Sequence, residues 1–381
     1  MKFLVLGSGM MGSAIAFDLA HSDGVQQVTL ADVDAHRASD AASKIASPKA
    51  SALQLDVNDQ KNVIAAMEHH DVAIGAVSYR NNAALSRAAI EAGTHFCDLG
   101  GNDGVVEEQL ALSGQAKNRD ITIIPNCGLA PGLANILGAR GAEKFDTVDS
   151  IKMRVGGLPR DPIPPFNYQI VFSVEGLLNE YSGKSTAIRN FKLAQIDALT
   201  ELEPIVFPVP FGTLEAFHTS GGASLTPRLF EGKVRELDYK TIRYPGHCDK
   251  FRTLLEIGFG ANEPLSLGSN VLTERELFIE LLKRKLPHTG KDVVLLRVIV
   301  EGKRSTKPQR LTFTMIDFYD ETRNISAMMR CTAYPTSVVA QLLASGTITS
   351  RGTITAEQCV PLEPLLAGLE KRGVKISQEW N

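Results

Sequence analysis

Gly7-Ser8-Gly9-Met10-Met11-Gly12 follows directly on the apolar run Phe3-Leu4-Val5-Leu6 and opens the apolar-faced stretch 12–20. A GxGxxG hexapeptide between a strand and a helix leaves few architectures open. Glycine is needed at the tight turn, where backbone comes closest to a pyrophosphate, and where helix meets strand. The helix N-terminus then turns its free N–H groups toward the phosphates. A purely structural glycine turn is the competing reading, and the strand-turn-helix setting favours the nucleotide. Gly7, Gly9, Met10, Met11 and Gly12 are therefore assigned to a dinucleotide.

The rest of the first third agrees with that assignment. Short β-rich runs at 3–6, 27–31, 50–55, 72–77, 95–98 and 121–124 alternate with helical stretches at 12–20, 35–45, 58–68 and 81–91. Right-handed βαβ units stack such a pattern into a Rossmann-type, doubly wound parallel sheet. A loop at 126–132 leads into a helix at 133–143. Beyond residue 145 the β-like runs lengthen, at 150–155, 291–301, 310–318 and 325–331, with proline-rich connections at 159–165 and 204–210. This predicts a separate α+β domain with an open sheet, suited to pairing with a second copy of the chain. Helical patterns return at 338–344, after Tyr334-Pro335, and at 362–371. The predicted division is 1–132 for the dinucleotide, 133–330 for substrate and dimerisation, and 331–381 as helices packing back on the first domain; 381 residues are ample for this.

Asp32 closes the second strand 20 residues after Gly12, where a carboxylate accepts both ribose hydroxyls of NAD. A 2′-phosphate there would meet like charge, with Asp34 close by and Arg37 the one near base, so NAD is favoured over NADP. Asp56 ends the third strand and fits either the adenine edge or a helix N-terminal acid. Ala76-Val77-Ser78 ends the fourth strand and would pass beside the adenine ribose and the nicotinamide. Val33, Val57 and Leu99 adjoin these acids and strand ends and complete the cofactor set, with Pro131 expected to shape the nicotinamide pocket.

Composition narrows the ligand classes. With 40 basic and 43 acidic residues, and a longest basic cluster of three at Lys283 to Lys285, a nucleic-acid or membrane-surface role has little electrostatic support. No apolar run approaches the ~18 residues of a membrane span, and the N-terminus reads as a strand rather than a signal peptide. Five widely spaced cysteines without metal-ligand spacing read as reduced thiols of a cytoplasmic protein, with no metal expected.

Several further segments carry a resemblance. They are 29–34 after the glycine loop, Cys97-Asp98-Leu99-Gly100-Gly101, 123–125 with Gly128-Leu129-Ala130-Pro131-Gly132, 171–173 with 175–178, 215–222, 240–244 with Gly246-His247, and 293–298. Taken together the chain resembles the saccharopine dehydrogenase family over nearly its whole length, most closely the lysine 6-dehydrogenase branch. Members that handle saccharopine carry an Asn-Arg-bearing segment where this chain has His218-Thr219-Ser220-Gly221-Gly222. The arginine for the glutarate carboxylates is missing, so a smaller amino acid such as L-lysine fits better. The resemblance then implies NAD-dependent oxidative deamination of the ε-amino group to allysine, which cyclises to piperideine-6-carboxylate.

That chemistry needs a free amine, and an ammonium with a pKa near 10.4 makes the neutral form cost about 4.6 kcal/mol at pH 7. His218 and His247 are the candidate bases, each with the alternative of a hydrogen-bonding histidine that holds a loop. Asp98, at the carboxyl edge of the sheet, fits orientation of the nicotinamide or amine, or capping of loop N–H groups. Arg243 fits a bidentate grip on the substrate carboxylate, or a structural pair with Glu175 or Asp249. Glu175 fits the substrate α-ammonium, or the first turn of a helix starting at Ser173. Tyr168, Tyr244, Thr219 and Gly221 complete the expected pocket. Two rivals remain open: an NADPH-dependent reductase joining aldehyde and amine, as in saccharopine or carboxynorspermidine formation, and a regulator that senses NAD without turnover.

Overall fold

Strand β1 (Lys2–Leu6) is buried from Phe3 to Leu6, as a central strand covered on both faces must be. In the computed structural model, which describes residues 1–268, 270–287 and 290–381, it belongs to a parallel sheet. That sheet continues with β2 (Gln27–Asp32), β3 (Ala50–Gln54), β4 (Val72–Gly75), β5 (His95–Asp98) and β6 (Thr122–Ile124), in the spatial order 3-2-1-4-5-6. The chain reverses direction across the sheet between β1 and β4, and the β1–α1 turn opens at that point. The crossovers are α1 (Met10–Ala20), α2 (Ala35–Ile45), α3 (Gln60–Met67) and α4 (Asn82–Ala92), with α5 (Asp103–Ala111) and α6 (Ser113–Asn118) before β6 and α7 (Leu133–Ala142) after it. Local chemistry starts these helices: Asp34 accepts from the N–H of His36 and Arg37, Asp59 from Asn62, and Asn102 from Val105.

The chain divides into two units, Met1–Glu143 with Met329–Ile376, and Lys144–Met328 with Ser377–Asn381. The first unit keeps α7, so it runs past the predicted boundary at 132. Its returning segment adds the strand Gly352–Thr353 to β6, parallel, as a seventh strand. Arg372 of the same segment donates through Nε to both oxygens of Asp18 on α1, each at 2.8 Å. The last strand, Ser377–Trp380, instead pairs with the second unit's sheet.

In the second unit β7 (Thr147–Pro159) is central. After it come α8 (Val174–Glu180), the hairpin β8 (Lys184–Arg189) and β9 (Lys192–Asp197), β10 (Glu203–Phe207), β11 (Gly212–His218), α9 (Thr226–Phe230), β12 (Glu236–Arg243) and α10 (His247–Leu254). The small hairpin β13 (Pro264–Leu267) and β14 (Asn270–Thr273) precedes α11 (Glu274–Lys285), and β15 (Asp292–Arg304) and β16 (Lys307–Phe318) close the set. The sheet runs β10-β11-β12-β7-β15-β16 and then Ser377–Trp380, mixed in sense because β12 is parallel to β7. Ser305 and Thr306, both with positive φ, make the two-residue turn between β15 and β16. Lys283 to Lys285, the basic cluster of the sequence, form the last turn of α11, opposite the acidic first turn at Glu274 and Glu276.

One sequence expectation is corrected here. Residues 325–331 read as a strand, and the structure has a helix over Ala327–Ala344 that passes through Pro335 instead of starting after it. The helix start is capped by Asp292, whose carboxylate accepts from the N–H of Ala327 at 2.7 Å and Met328 at 2.8 Å. A cap 35 residues away leaves no local signature. Among the described residues no helix is long and apolar enough to cross a membrane, and all five cysteines are free and buried.

Candidate active site

In the first unit the glycine loop meets the geometric demands of a dinucleotide cradle. Gly7 has φ +104°, and a Cβ there would lie 2.6 Å from the Ala76 carbonyl oxygen. A Cβ on Gly12 would lie 1.9 Å from the Gly7 oxygen, whereas one on Gly9 meets nothing within 4 Å. Gly7 and Gly12 therefore let the chain fold, and Gly9 keeps the space in front of the α1 N-terminus clear. Ser8 N–H and its hydroxyl donate to Asp32 at 2.9 and 2.8 Å, and Asp34 N–H donates to the other oxygen at 3.1 Å. Burial works against this charge, but those bonds and Arg37 outweigh it and hold the Asp32 carboxyl below its usual range. An ionised acid at the end of β2 thus pins the loop, with one acceptor position left over on Oδ1. Met10 and Val33 are exposed and Met11 half-buried, around an open face.

The remaining first-unit positions sort by exposure. Ala76, Val77, Leu99 and Pro131 are half-buried and Ser78 is exposed at the ends of β4, β5 and the loop after β6. Asp56 is exposed and accepts from Asn58 N–H and Nδ2, a local turn ahead of α3, with Val57 packed on the core beneath. Asp98 is fully enclosed. Its oxygens accept from Gln109 Nε2 at 2.7 Å, from Gly100 N–H at 2.7 Å and from Asn126 N–H at 3.4 Å. Burial pushes its carboxyl up to about 6 against those bonds. This is the loop-capping arrangement rather than that of an orienting acid.

In the second unit, the functional side chains come from α8, β11, β12 and α10. Glu215 on β11 accepts from the N–H of Gly246 and Cys248, which caps α10 and fixes His247 at its first turn. His247 Nδ1 is 2.9 Å from the Phe166 carbonyl oxygen and Nε2 is 2.8 Å from the Tyr181 hydroxyl. A carbonyl only accepts, so Nδ1 carries the proton and Nε2 accepts from Tyr181. Tyr181 in turn accepts from Arg243 Nε at 2.8 Å. Burial and then Arg243 push His247 down to about 3, against the Phe166 bond. The ring is neutral with both nitrogens engaged, which corrects the expectation of a free base.

His218 ends β11, fully buried. Its Nε2 is 3.0 Å from Glu201, inside a network in which Arg189 spans Glu201 at 2.8 Å and Asp238 at 3.0 Å. Arg154 pairs with Glu203 and Asp238, both at 2.6 Å, and Lys240 with Glu203 at 2.9 Å. Burial pushes His218 down, against the pull of Asp238 and Glu201. Ligand atoms of Glu201, His218 and Asp238 lie within 4.8 Å of one another, but Arg189 already fills the place of a cation among them. Thr219, next in chain, shares a 2.7 Å hydroxyl bond with Thr241, and Gly221 turns the loop at φ +87°.

Arg243 is different. Among the described residues of this unit three basic side chains are buried, Arg154, Lys240 and Arg243, and only Arg243 has no carboxylate within 4.0 Å. Nε is held by Tyr181 and Nη1 by the carbonyls of Ile242 at 2.9 Å and Gly157 at 3.4 Å, while the guanidinium lies over Tyr168 at 5.0 Å and Tyr181 at 5.8 Å. Nη2 keeps its donors. The structural pairs foreseen for it are absent: Glu175 is exposed and pairs with Lys283 at 3.2 Å, and Asp249 pairs with Arg252. Glu175 is thus a surface acid in the first turn of α8, capped by Ser173, and not a pocket residue. Tyr168 is buried beside Arg243, but Tyr244 packs in a separate core and donates to Pro159. Glu180 and Tyr181 escaped the sequence reading. The Val174-Leu177-Leu178-Tyr181 periodicity was the signal that put Tyr181 on the buried face of α8.

Residues 3–124 match the family described as the saccharopine dehydrogenase NADP binding domain, and residues 128–374 match the saccharopine dehydrogenase C-terminal domain. A saccharopine dehydrogenase [NADP(+), L-glutamate-forming] of Schizosaccharomyces pombe is 22% identical over 405 residues, covering 87% of this chain and 89% of that protein. One from Pyricularia oryzae is 25% identical over 318 residues, 81% of this chain and 68% of its own. Among solved structures, apo saccharopine dehydrogenase (L-Glu forming) from Saccharomyces cerevisiae superposes with a TM-score of 0.80 at 18% identity, covering 100% of this chain and 99% of that one. The homospermidine synthase of Legionella pneumophila in complex with NAD gives 0.64 at 13%, covering 100% and 91%. With both halves of the chain matched in order, this protein belongs to the saccharopine dehydrogenase family.

Proposed function

We propose that the chain catalyses NAD-dependent oxidative deamination of the ε-amino group of L-lysine to allysine, which cyclises to piperideine-6-carboxylate. The observation that carries this reading is Arg243, a buried cation with free Nη2 donors and no carboxylate in contact. A buried charge left unpaired costs several kcal/mol, and a ligand carboxylate is the group that relieves it. Among the described residues of the second unit, the other buried cations, Arg154 and Lys240, already hold acids. A buried cation without an acid suits a substrate carboxylate that it can neutralise.

When bound, the nicotinamide supplies the two-electron acceptor for a hydrogen on Cε. The chain's own residues do the rest. Gly7, Gly9 and Gly12 admit the pyrophosphate, Asp32 takes the ribose hydroxyls, and Arg243 fixes the carboxylate end of lysine. The ε-ammonium loses its proton before the C–H bond breaks, the resulting iminium takes up water, and ammonium leaves. In balance, lysine, NAD and water give allysine, ammonium, NADH and one proton. His247 has both ring nitrogens engaged, and His218 gives its Nε2 to the Glu201 carboxylate while its Nδ1 is buried without a partner; neither is assigned as the base, the ammonium proton passes to solvent, and the rate rises toward alkaline pH. NAD is preferred because Asp32 is held ionised, with Arg37 shared between it at 3.8 Å and Asp34 at 4.0 Å.

Saccharopine as substrate with NADP is the second reading, favoured by the names of the relatives. It needs cations for the glutarate carboxylates beyond Arg243. The experiment is a panel of L-lysine, D-lysine, ornithine, saccharopine and diamines with NAD or NADP, read as absorbance at ~340 nm with aldehyde trapping, across neutral to alkaline pH. NADH formation with L-lysine, rising with pH, is expected. A response to saccharopine alone, or a pH-independent rate, overturns the reading; NAD binding with no turnover of any amine would leave a sensor.

A further inference from the structure

Arg243 has a counterpart that the expected site lacked. Glu180, the last residue of α8, is half-buried, and among the described residues its carboxylate makes no hydrogen bond and no ion pair within 4.0 Å. It interacts electrostatically with Arg243 and with Tyr168, Tyr181 and Tyr239. Two opposite charges thus share one tyrosine-walled shell without touching. In a shell of low polarity such charges attract each other strongly. Arg243 is tied through Nε and Nη1 on β12, while the end of α8 is tied to the loop after β11 by Ser220, whose N–H donates to the Glu180 carbonyl and whose hydroxyl donates to the Asn179 carbonyl, both at 2.8 Å. Gly222 of the same loop leaves room for the Tyr239 ring, which a Cβ would meet at 2.2 Å.

We propose that Glu180 and Arg243 form a two-pole receptor for the α-amino acid head of the substrate, Glu180 taking the α-ammonium and Arg243 the α-carboxylate. A zwitterion head presents the two complementary charges on neighbouring atoms and satisfies both poles at once. The proposal extends the lysine reading and rests on it in one respect: with the head held, the distal amine is the group left free to react. It also moves the ammonium contact from Glu175, a surface acid, to Glu180.

The receptor carries its own pH dependence. Burial pushes the Glu180 carboxyl up to about 7, against the pull of Arg243. Around it, Tyr168 and Tyr239 are pushed up by burial, Tyr181 likewise, and His247 behind Tyr181 is held down to about 3. None of these neighbours titrates between pH 5 and 8, so loss of ammonium binding below about pH 7 belongs to Glu180.

The test is calorimetric binding to the full chain in the presence of NADH, which cannot accept a hydride, using L-lysine, 6-aminohexanoate, which lacks the α-ammonium, and 1,5-diaminopentane, which lacks the carboxylate. Glu180→Gln is expected to weaken lysine and the diamine roughly tenfold or more and to leave 6-aminohexanoate within about threefold. Arg243→Gln should weaken lysine and 6-aminohexanoate and spare the diamine. Equal weakening of all three ligands by Glu180→Gln, or unchanged lysine affinity, overturns the proposal. A fall in kcat at constant KM also overturns it, since Glu180 would then act on the reacting amine. Glu180-dependent lysine binding without NADH formation would defeat the deamination reading and leave the receptor standing; turnover of lysine with Glu180-independent binding would do the reverse.

Discussion

His247 makes acid stability of the second unit a quantitative matter. Its imidazole is held to about 3 by burial, then by Arg243, whereas an unfolded histidine titrates near about 6.5. Below the unfolded value the unfolded chain binds a proton that the folded chain refuses. Stability from this group is therefore complete above about pH 6.5 and is lost as pH falls toward 3, at about 1.4 kcal/mol per pH unit. The loss reaches about 2 kcal/mol by pH 5 and about 5 kcal/mol by pH 3, to order of magnitude. The perturbation is His247→Gln, which keeps an amide near Phe166 and Tyr181 but cannot titrate. At pH 7 the variant should be less stable by about 1–3 kcal/mol, for its poorer hydrogen bonds and the lost stacking on Phe251, whose ring centroid is 4.6 Å away. Urea unfolding followed by circular dichroism at several pH values between 7.5 and 4.5 measures the difference, and carboxylates common to both proteins cancel in it. The two stability curves should converge near pH 5 and cross below it. Parallel curves would refute the reasoning, because the histidine would then titrate alike in both states.

Two further predictions concern the first unit. Gly9→Ala should leave the melting temperature unchanged and weaken NADH binding, measured by fluorescence titration, whereas Gly12→Ala should lower both, because its Cβ falls 1.9 Å from the Gly7 oxygen. Equal melting temperatures for the two variants would show that the loop yields more easily than its geometry implies. Asp32→Ser should lower the ratio of kcat/KM for NAD over NADP by roughly tenfold or more, since it removes a charge that opposes a 2′-phosphate; an unchanged ratio would remove Asp32 as the discriminator.

The parts of the molecule that were legible in the sequence are those whose cause is local. The β1 run, the GxGxxG turn, Asp32 and the start of α8 at Ser173 each carry their determinants within a few residues, and the strand and helix rhythm of the first third follows from them. Distant causes stayed hidden. The helix at Ala327 starts on Asp292, the seventh strand arrives from residue 352, and the basic run at 283–285 turned out to complement a helix end. The site divides in the same way. Arg243 stood out for its motif, but its lack of a counter-ion is a property of three-dimensional packing. Glu175 and Glu180 both lie on α8, and only the fold shows which is exposed and pairs with Lys283 and which feels the charge of Arg243.

The strand Gly352–Thr353 has a consequence for synthesis. Until it has left the ribosome, β6 presents an unpaired edge and Asp18 lacks Arg372. The first unit, although encoded first, is therefore completed only after residues 144–328 of the second have been translated. During that interval the nascent chain carries an open parallel sheet edge, which is the stage at which chaperone contact or mispairing between neighbouring nascent chains is most consequential.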